Sequence, residues 1–131
     1  MKEETKKWLD YADDNLKSAK ILLESSLYNP VLQNIQQAAE KMLKAACVEF
    51  SFKFRKTHSI NELADLLKNH NLDSGLTMDE CDLFDSIYLP SKYPLASVLP
   101  DFEPDDKICR ICLTTADKLR KRIDIILAEK I

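Results

Sequence analysis

Residues 36–45 read QQAAEKMLKA, a run of good helix formers inside a pattern that predicts a helix over about residues 30–53. Asn29-Pro30 precedes the run as a cap and a proline at the first helical position. Apolar residues at helical spacing predict its core face: Val31, Ile35, Ala38, Ala39, Met42, Ala46 and Phe50. The other side is polar and comprises Gln33, Gln37, Glu40 and Lys44, flanked by Gln36 and Lys41. That side is either ordinary solvent-exposed surface or a surface that contacts a ligand or another helix.

The same spacing rules predict four further helices, over about residues 3–26, 59–69, 77–88 and 104–128. Ser59 with Glu62, and Thr77 with Glu80, have the spacing of capping boxes at two of the helix starts. The first helix carries one apolar stripe, formed by Trp8, Ala12, Leu16, Ala19 and Leu23. Residues 89–104 hold four of the five prolines, and we expect them to be irregular but largely ordered. A single glycine in the chain argues against the tight hairpins of a β-sheet, so the predicted fold class is all-α.

The composition limits the classes of function. With 131 residues the chain fits one domain, 1–131, that can bury its own core. A net charge of −3, with acidic and basic side chains mixed along the chain, disfavours broad sequence-independent binding of nucleic acid. No apolar run approaches the roughly 20 residues of a membrane span, and the charged N-terminus lacks the apolar stretch of a signal peptide. We therefore expect a cytoplasmic protein without membrane contact, with its cysteines reduced.

Two short motifs suggest chemistry but have simpler explanations. Cys109 and Cys112 have CxxC spacing, yet Cys47 and Cys81 are isolated, so the pair is expected to be core thiols and not half of a zinc site. Residues 118–122, KLRKR, are basic without interleaved aromatic residues, which is typical of a solvated helix face. No metal is predicted, because the cysteine pair lacks a second pair, and no cofactor is predicted, because one glycine cannot build a phosphate-cradling loop.

Three stretches, in order along the chain, resemble one known family. QQAAEKMLKA at 36–45, KTHS at 56–59 with a following Leu63, and SKYP at 91–94 are similar to the successive signatures of the HEPN domain, the higher eukaryotes and prokaryotes nucleotide-binding domain. The resemblance implies an up-and-down bundle of four main helices plus a short helix, usually a homodimer. It also implies that the protein binds a nucleotide or other polyanionic ligand. Small stand-alone members are often encoded beside a minimal nucleotidyltransferase, in some cases as a toxin–antitoxin pair.

Other branches of the family are metal-independent ribonucleases, with an Arg followed by four to six residues and then His. Before His58 the required positions hold Ser51, Phe52 and Lys53, and before His70 they hold Leu63, Ala64 and Asp65. Arg55 is too close to His58 to match, and a lysine does not replace a positioned guanidinium. The chain is therefore predicted to be a non-catalytic binding protein and not an enzyme. Two alternatives stay open: a ribonuclease toxin with a degenerate motif around His58, and a purely structural dimerisation module.

The ligand site follows from this resemblance and from the polar strip. No catalytic residue and no metal ligand is assigned. The helix contributes a polar lining, and the two later motifs contribute cations and an aromatic face at the same end of the bundle. The predicted ligand-binding residues are Gln37, Glu40, Lys41, Lys44, Lys56, His58, Lys92 and Tyr93. The same strip is also a candidate dimer seam.

Overall fold

A computed structural model describes residues 1–92 and 103–130, with the side chains of these ranges except those of 88–92. All regular structure in this part of the chain is helical: α1 (Glu3–Glu24), α2 (Tyr28–Glu49), α3 (Ile60–Asn69), α4 (Met78–Lys92) and α5 (Asp106–Ala128). The predicted all-α fold, with one helix much shorter than the rest, is confirmed. Among the described helices, none has both the length and the apolar character that crossing a bilayer requires.

Helix α2 is the central element and packs against each of the four other helices. The start of α1 contacts the far end of α2 through Lys2 and Glu49, so the two helices are antiparallel. Helix α5 runs in the same direction as α2. At its start the Cys109 thiol donates to the Tyr28 carbonyl, and beyond its end Lys130 contacts Glu49. A helix surrounded in this way has no wide solvent-exposed face for its polar residues.

The core is formed by apolar side chains from all five helices. Its largest fully buried members are Phe84, Leu32, Ile35, Met42, Leu43, Ile60, Leu63, Leu67, Ile87, Leu119, Ile123 and Ile126. Trp8 and Phe50, which are predicted for the core, are only partly buried and pack at its edge. Burial raises the pKa of the Cys109 thiol to about 11 and that of Cys112 to about 12, which keeps both in the unreactive thiol form. The CxxC pair is core packing, as predicted.

Side-chain caps, two of them predicted, satisfy N–H groups at three helix starts, where no carbonyl of the same helix is available. The Ser59 hydroxyl accepts from the Glu62 N–H at 3.1 Å. Thr77 and Glu80 form a reciprocal capping box, in which each side chain accepts from the other residue's N–H, at 3.1 Å and 2.9 Å. Asp105 caps α5 by accepting from a first-turn N–H at 2.8 Å, so this helix starts later than predicted.

Three helices end at residues that have left-handed backbone conformations without being glycine: Ser26 (φ 57°), Ser51 (φ 60°) and Asn71 (φ 64°). At the end of α2, the Phe52 N–H donates back to the Cys47 carbonyl at 2.8 Å, and α1 and α3 end with the same pattern of bonds. This arrangement closes a helix and turns the chain away. Helices α1 and α2 consequently end earlier than predicted.

Two further boundaries differ from the prediction. Helix α2 begins at Tyr28, so Pro30 occupies the third helical position and not the first. The N–H groups of a first turn have no acceptor within the helix, so a proline there loses no hydrogen bond. Helix α4 continues to Lys92, so residues 89–92 are helical and not irregular. Residues 93–102 of the predicted irregular segment lie outside the described residues.

A buried carboxylate joins both ends of the described chain to the end of α2. Glu49 is 5 % exposed, and its Oε1 accepts from the Lys2 N–H and from the Thr5 hydroxyl, each at 2.9 Å. Its Oε2 pairs with Lys130 Nζ at 3.1 Å. These donors, the Lys2 N–H above all, lower the pKa of the Glu49 carboxyl to about 2 in spite of its burial. We call Glu49, Lys2, Thr5 and Lys130 the Glu49 cluster.

Candidate functional site

The polar residues of QQAAEKMLKA do not form a solvent-exposed face. Gln36 is 1 % exposed, Glu40 8 % and Lys44 7 %, whereas Gln37 and Lys41 are half-buried. The interpretation of this strip as ordinary surface is therefore wrong for its three buried members. A charged side chain is stable out of water only when it is matched, so the partners of these groups define the site.

Glu40 is matched on both carboxylate oxygens. Its Oε2 pairs with Lys44 Nζ, one turn further along α2, at 3.0 Å, and its Oε1 contacts His58 Nδ1 at 3.0 Å. The Gln36 amide donates to the His58 carbonyl at 3.2 Å, so α2 holds both the ring and the main chain of His58. The His58 side chain is 49 % exposed, against 10 % for Glu40. The Glu40 cluster (Glu40, Lys44, His58 and Gln36) therefore presents one titratable ring to solvent above a buried ion pair.

Aromatic rings lie beside the lysines of the strip. Lys44 Nζ is 5.6 Å from the ring centroid of Trp8 on α1 and 6.0 Å from that of Phe54, which follows α2. Lys41 Nζ is 5.7 Å from the ring centroid of Tyr11, also on α1. These distances are within the range of cation–π attraction. Cations interleaved with aromatic faces form a surface on which phosphates and nucleobases can both bind.

The loop between α2 and α3 adds cations next to the Glu40 cluster. Lys53, Arg55 and Lys56 are exposed there. Arg55 pairs with Glu62, and the Thr57 hydroxyl together with Arg55 lowers the pKa of the Glu62 carboxyl. Within residues 1–92 and 103–130, neither of the two loop lysines forms an ion pair. The loop therefore keeps two unmatched positive charges.

Helix α4 fixes the end of this loop. The Asp85 carboxylate accepts from the main-chain N–H of Ile60 at 2.6 Å and of Asn61 at 3.2 Å, and from the Ser59 hydroxyl at 3.1 Å. A carboxylate at a helix start satisfies free N–H groups and is favoured by the helix dipole. Because Ser59 directly follows His58, helices α2 and α4 together fix the backbone that carries the imidazole.

The structure brings together three of the predicted site residues, Glu40, Lys44 and His58. Beside them, on α2 and on the α2–α3 loop, lie Gln37, Lys41 and Lys56. Lys92 ends α4, but its side chain is not among those described, and Tyr93 lies outside the described residues. The predicted convergence of the first and second motifs is therefore observed, and the position of the third motif stays a prediction.

Three aromatic residues of the site are not in the predicted set. Trp8 belongs to the predicted core stripe, but its ring lies against Lys44. Tyr11 is 58 % exposed beside Lys41, and nothing in its spacing distinguishes it from other surface residues of α1. Phe54 stands between Lys53 and Arg55, and this alternation of basic and aromatic residues is the signal that the sequence contains.

The arrangement limits the chemistry that the site can perform. A carboxylate that accepts from one imidazole nitrogen fixes the orientation of the ring, and the ring can then contact an anion or transfer a proton. In the part of the chain that the structure describes, no group of three or more His, Cys, Asp or Glu residues is arranged to hold a metal ion. The described residues thus offer cations, an oriented imidazole and aromatic faces.

These features define a class of protein: a small all-helical bundle whose central helix positions a histidine of the basic loop that follows it. Two solved structures share this fold. The crystal structure of ST0689, an archaeal HEPN homologue, has a TM-score of 0.72 at 22% sequence identity, over 97% of this chain and 99% of that chain. The crystal structure of TT1696 from Thermus thermophilus has a TM-score of 0.76 at 24% identity, over 95% of this chain and 99% of that chain.

No curated protein matches the chain significantly. The HEPN domain matches residues 5–126, and the chain belongs to the HEPN family.

Proposed function

We propose that this protein binds a nucleotide or a similar polyanionic ligand at the Glu40 cluster and the α2–α3 loop, without catalysing a reaction itself. The observation that carries the proposal is the 3.0 Å contact between Glu40 and His58, which orients a half-exposed imidazole beside the two unmatched loop lysines. In a cytoplasmic two-component or toxin–antitoxin system, such a protein would present its ligand to a separate minimal nucleotidyltransferase, or be restrained by it.

The two loop lysines are the first contacts that we assign to a phosphate group. Lys53 and Lys56 are exposed, and a charge-assisted hydrogen bond to a phosphate is stronger than one between neutral groups. The half-exposed imidazole of His58 is the third group of the loop that an anion can reach. The phosphate end of a ligand therefore fits the loop better than it fits the α2 strip.

The buried members of the strip have a different role in this proposal. Lys44 and Glu40 neutralise each other, so neither is available as a net charge for a ligand. We assign Glu40 as a positioning residue for His58, and Lys44 as the group that keeps Glu40 ionised out of water. Trp8 and Tyr11 supply ring faces at the edge of the strip, where a nucleobase can stack.

Isothermal titration calorimetry with a panel of nucleoside mono- and triphosphates tests the proposal. We expect binding to the wild-type protein, and affinity about tenfold weaker in Lys56→Gln and in His58→Gln, because each removes one charge-assisted contact. Lys17→Gln is the matched control, since Lys17 is exposed on α1, away from the loop, and loses the same charge. Absence of heat with every nucleotide, together with an unchanged melting temperature, would refute the proposal.

A ribonuclease remains the second candidate, because an imidazole oriented by a carboxylate is also the arrangement of a general acid or base. Lys53, five residues before His58, is the only basic residue at the spacing of the ribonuclease motif. Purified protein incubated with tRNA and mRNA should then cleave them, and His58→Ala should abolish cleavage. Intact RNA with the wild-type protein rejects this candidate.

A homodimer is expected from the family resemblance, and the structural alternative uses the α2 strip as its seam. Glu40 and Lys44 are buried within one chain. Only the half-buried members of the strip, Gln33, Gln37 and Lys41, can therefore contribute appreciably to such a seam. Light scattering on Gln37→Ala separates the two uses of the strip. Loss of the dimer with unchanged nucleotide affinity favours the structural role, and loss of affinity with an intact dimer favours the ligand site.

A further inference from the structure

A cavity lies between the α3–α4 loop, the start of α4 and helix α5. Its volume is about 190 Å³, and no residue that lines it belongs to the Glu40 cluster or to the α2–α3 loop. The lining comprises Ser74, Gly75, Leu76, Glu80, Thr115, Lys118, Leu119 and Arg122. A volume of this size is below the roughly 300–1,000 Å³ of sites for drug-sized molecules, so it suits a small group and not a whole nucleotide.

The two cations of this cavity come from the basic segment KLRKR. Lys118 and Arg122 are one turn apart on α5, so they project on the same face of the helix. The Arg122 Nε donates to the Asp73 carbonyl at 2.7 Å, which holds the guanidinium against the loop. Among the described residues, Lys118 and the two Nη groups of Arg122 have no hydrogen-bond or ion-pair partner. The expectation that this segment is only a solvated face is therefore incomplete for these two residues.

The acidic groups next to the cavity are already engaged. Glu80 Oε1 accepts from the Thr77 N–H at 2.9 Å, and its Oε2 lies 3.5 Å from the Thr115 hydroxyl. Asp73 Oδ1 accepts from the Gly75 N–H at 2.8 Å. The cations of the cavity have no such partner, so an anion that enters can bind to them without first displacing a carboxylate.

The α3–α4 loop packs against α5 along one side of the cavity. Gly75, the only glycine of the chain, has a left-handed φ of 78°, and a Cβ at this position would lie 3.7 Å from the Arg122 side chain. Ser74 is 6 % exposed, and its hydroxyl accepts from the Leu76 N–H at 3.3 Å, which leaves its own hydrogen to donate. The Thr115 hydroxyl donates to the Ile111 carbonyl at 3.1 Å. Hydroxyls and basic side chains together are the donors that bind phosphate oxygens.

We propose that the cavity between the α3–α4 loop and α5 is a binding site for a small phosphate dianion, held by Lys118 and Arg122. The dianion is either inorganic phosphate or the terminal phosphate of a small phosphate ester. Lys118 and Arg122 supply two positive charges, against the one negative charge of Glu80, which also lines the cavity. This site shares no residue with the proposed nucleotide site, so either proposal can be refuted while the other stands.

Nuclear magnetic resonance gives a direct test, because the sole glycine produces one readily identified amide signal. Inorganic phosphate and a nucleoside 5′-monophosphate are titrated separately into 15N-labelled protein at constant ionic strength, with sodium chloride as the reference salt. We expect a saturable shift of the Gly75 signal with at least one of them. In Lys118→Gln we expect the midpoint at about tenfold higher concentration, since one charge-assisted contact is lost.

Lys121→Gln is the matched control, because Lys121 is exposed on the same helix, loses the same charge and does not line the cavity. Lys118 makes no hydrogen bond or ion pair to another residue that the structure describes, whereas Arg122 donates to the Asp73 carbonyl. The Lys118 variant therefore tests binding without breaking that bond to the loop. An unchanged midpoint in Lys121→Gln supports the proposal, and the ligand that binds more tightly identifies the source of the phosphate. A linear, unsaturated shift with both ligands, or equal midpoints in the two variants, overturns it.

Discussion

Helix α2 carries two buried glutamates, and their surroundings differ in a way that separates a structural site from a functional one. Glu49 is surrounded by donors from the two ends of the described chain, and none of these donors is an imidazole. Glu40 divides its oxygens between a lysine of its own helix and the half-exposed ring of His58. The two carboxylates have similar burial. What differs is the group that links the buried charge to solvent, which is an imidazole for Glu40 and the ammonium group of Lys130 for Glu49.

The largest expected effect concerns the Glu49 cluster. Glu49→Gln removes the charge that matches Lys130 and weakens the bonds from Lys2 and Thr5. We expect the free energy of unfolding to fall by about 2–3 kcal/mol, because the buried carboxylate loses its charge-assisted hydrogen bonds. Urea denaturation measures it, with Glu24→Gln on the exposed face of α1 as control. If Glu49→Gln lost no more free energy of unfolding than the control, Glu49 would not be the structural residue of the two glutamates.

We expect Glu49 to make the stability of the protein depend on pH. The pKa of Glu49 is lowered from 4.5 to about 2 in the folded protein, so the unfolded chain binds the proton more readily. The stabilisation is therefore complete above about pH 4.5 and is lost as the pH falls towards about 2. Urea denaturation of the wild-type protein and of Glu49→Gln should show their difference narrowing across that window. A difference that stays constant there would contradict the assignment.

A smaller effect is expected for the ion pair of the Glu40 cluster. Glu40→Gln and Lys44→Met should each destabilise the protein, and the double variant should lose less than the sum of the two. The expected coupling is about 1–2 kcal/mol, because the charges are in contact and buried. A thermodynamic cycle from urea denaturation measures it. Additive losses would mean that the pair is not energetically linked, and that Lys44 is stabilised by Trp8 and Phe54 alone.

The smallest effect on stability is expected for His58. Its side chain is 49 % exposed, so His58→Ala should change the free energy of unfolding by less than about 1 kcal/mol. Nucleotide affinity measured on the same preparation should nevertheless fall. A large loss of stability with unchanged affinity would place His58 with the structural residues, beside Thr5 and Lys130.

The helices could be predicted from the sequence because their signals are local. Apolar spacing identified all five elements, and the capping box of Thr77 with Glu80 is observed as predicted. Ser59 caps its helix, but its own N–H donates to Thr57 and not to Glu62, so that box is only half formed. The ends of α1 and α2 could not be predicted in the same way. Both stop at a serine in the left-handed conformation, where a glycine is the usual signal, and the serine is stabilised there by the bonds that surround it.

The site could be predicted only in part, because burial on α2 depends on elements distant in sequence. Periodicity separates one side of a helix from the other, but it does not show that α1 and the α2–α3 loop cover the polar side. Glu40 and His58 appear in separate motifs, and only the folded chain places them 3.0 Å apart. The aromatic partners of Lys44 come from two further segments, so no local pattern could associate them.

The Glu49 cluster also has a topological consequence. Residues 2 and 130 contact the two oxygens of one carboxylate, so these positions in the chain lie within a few side-chain lengths of each other. A short flexible linker could therefore join them and close the polypeptide into a ring. New ends opened in the exposed part of the loop between α3 and α4 would give a circular permutant with the same packing of helices.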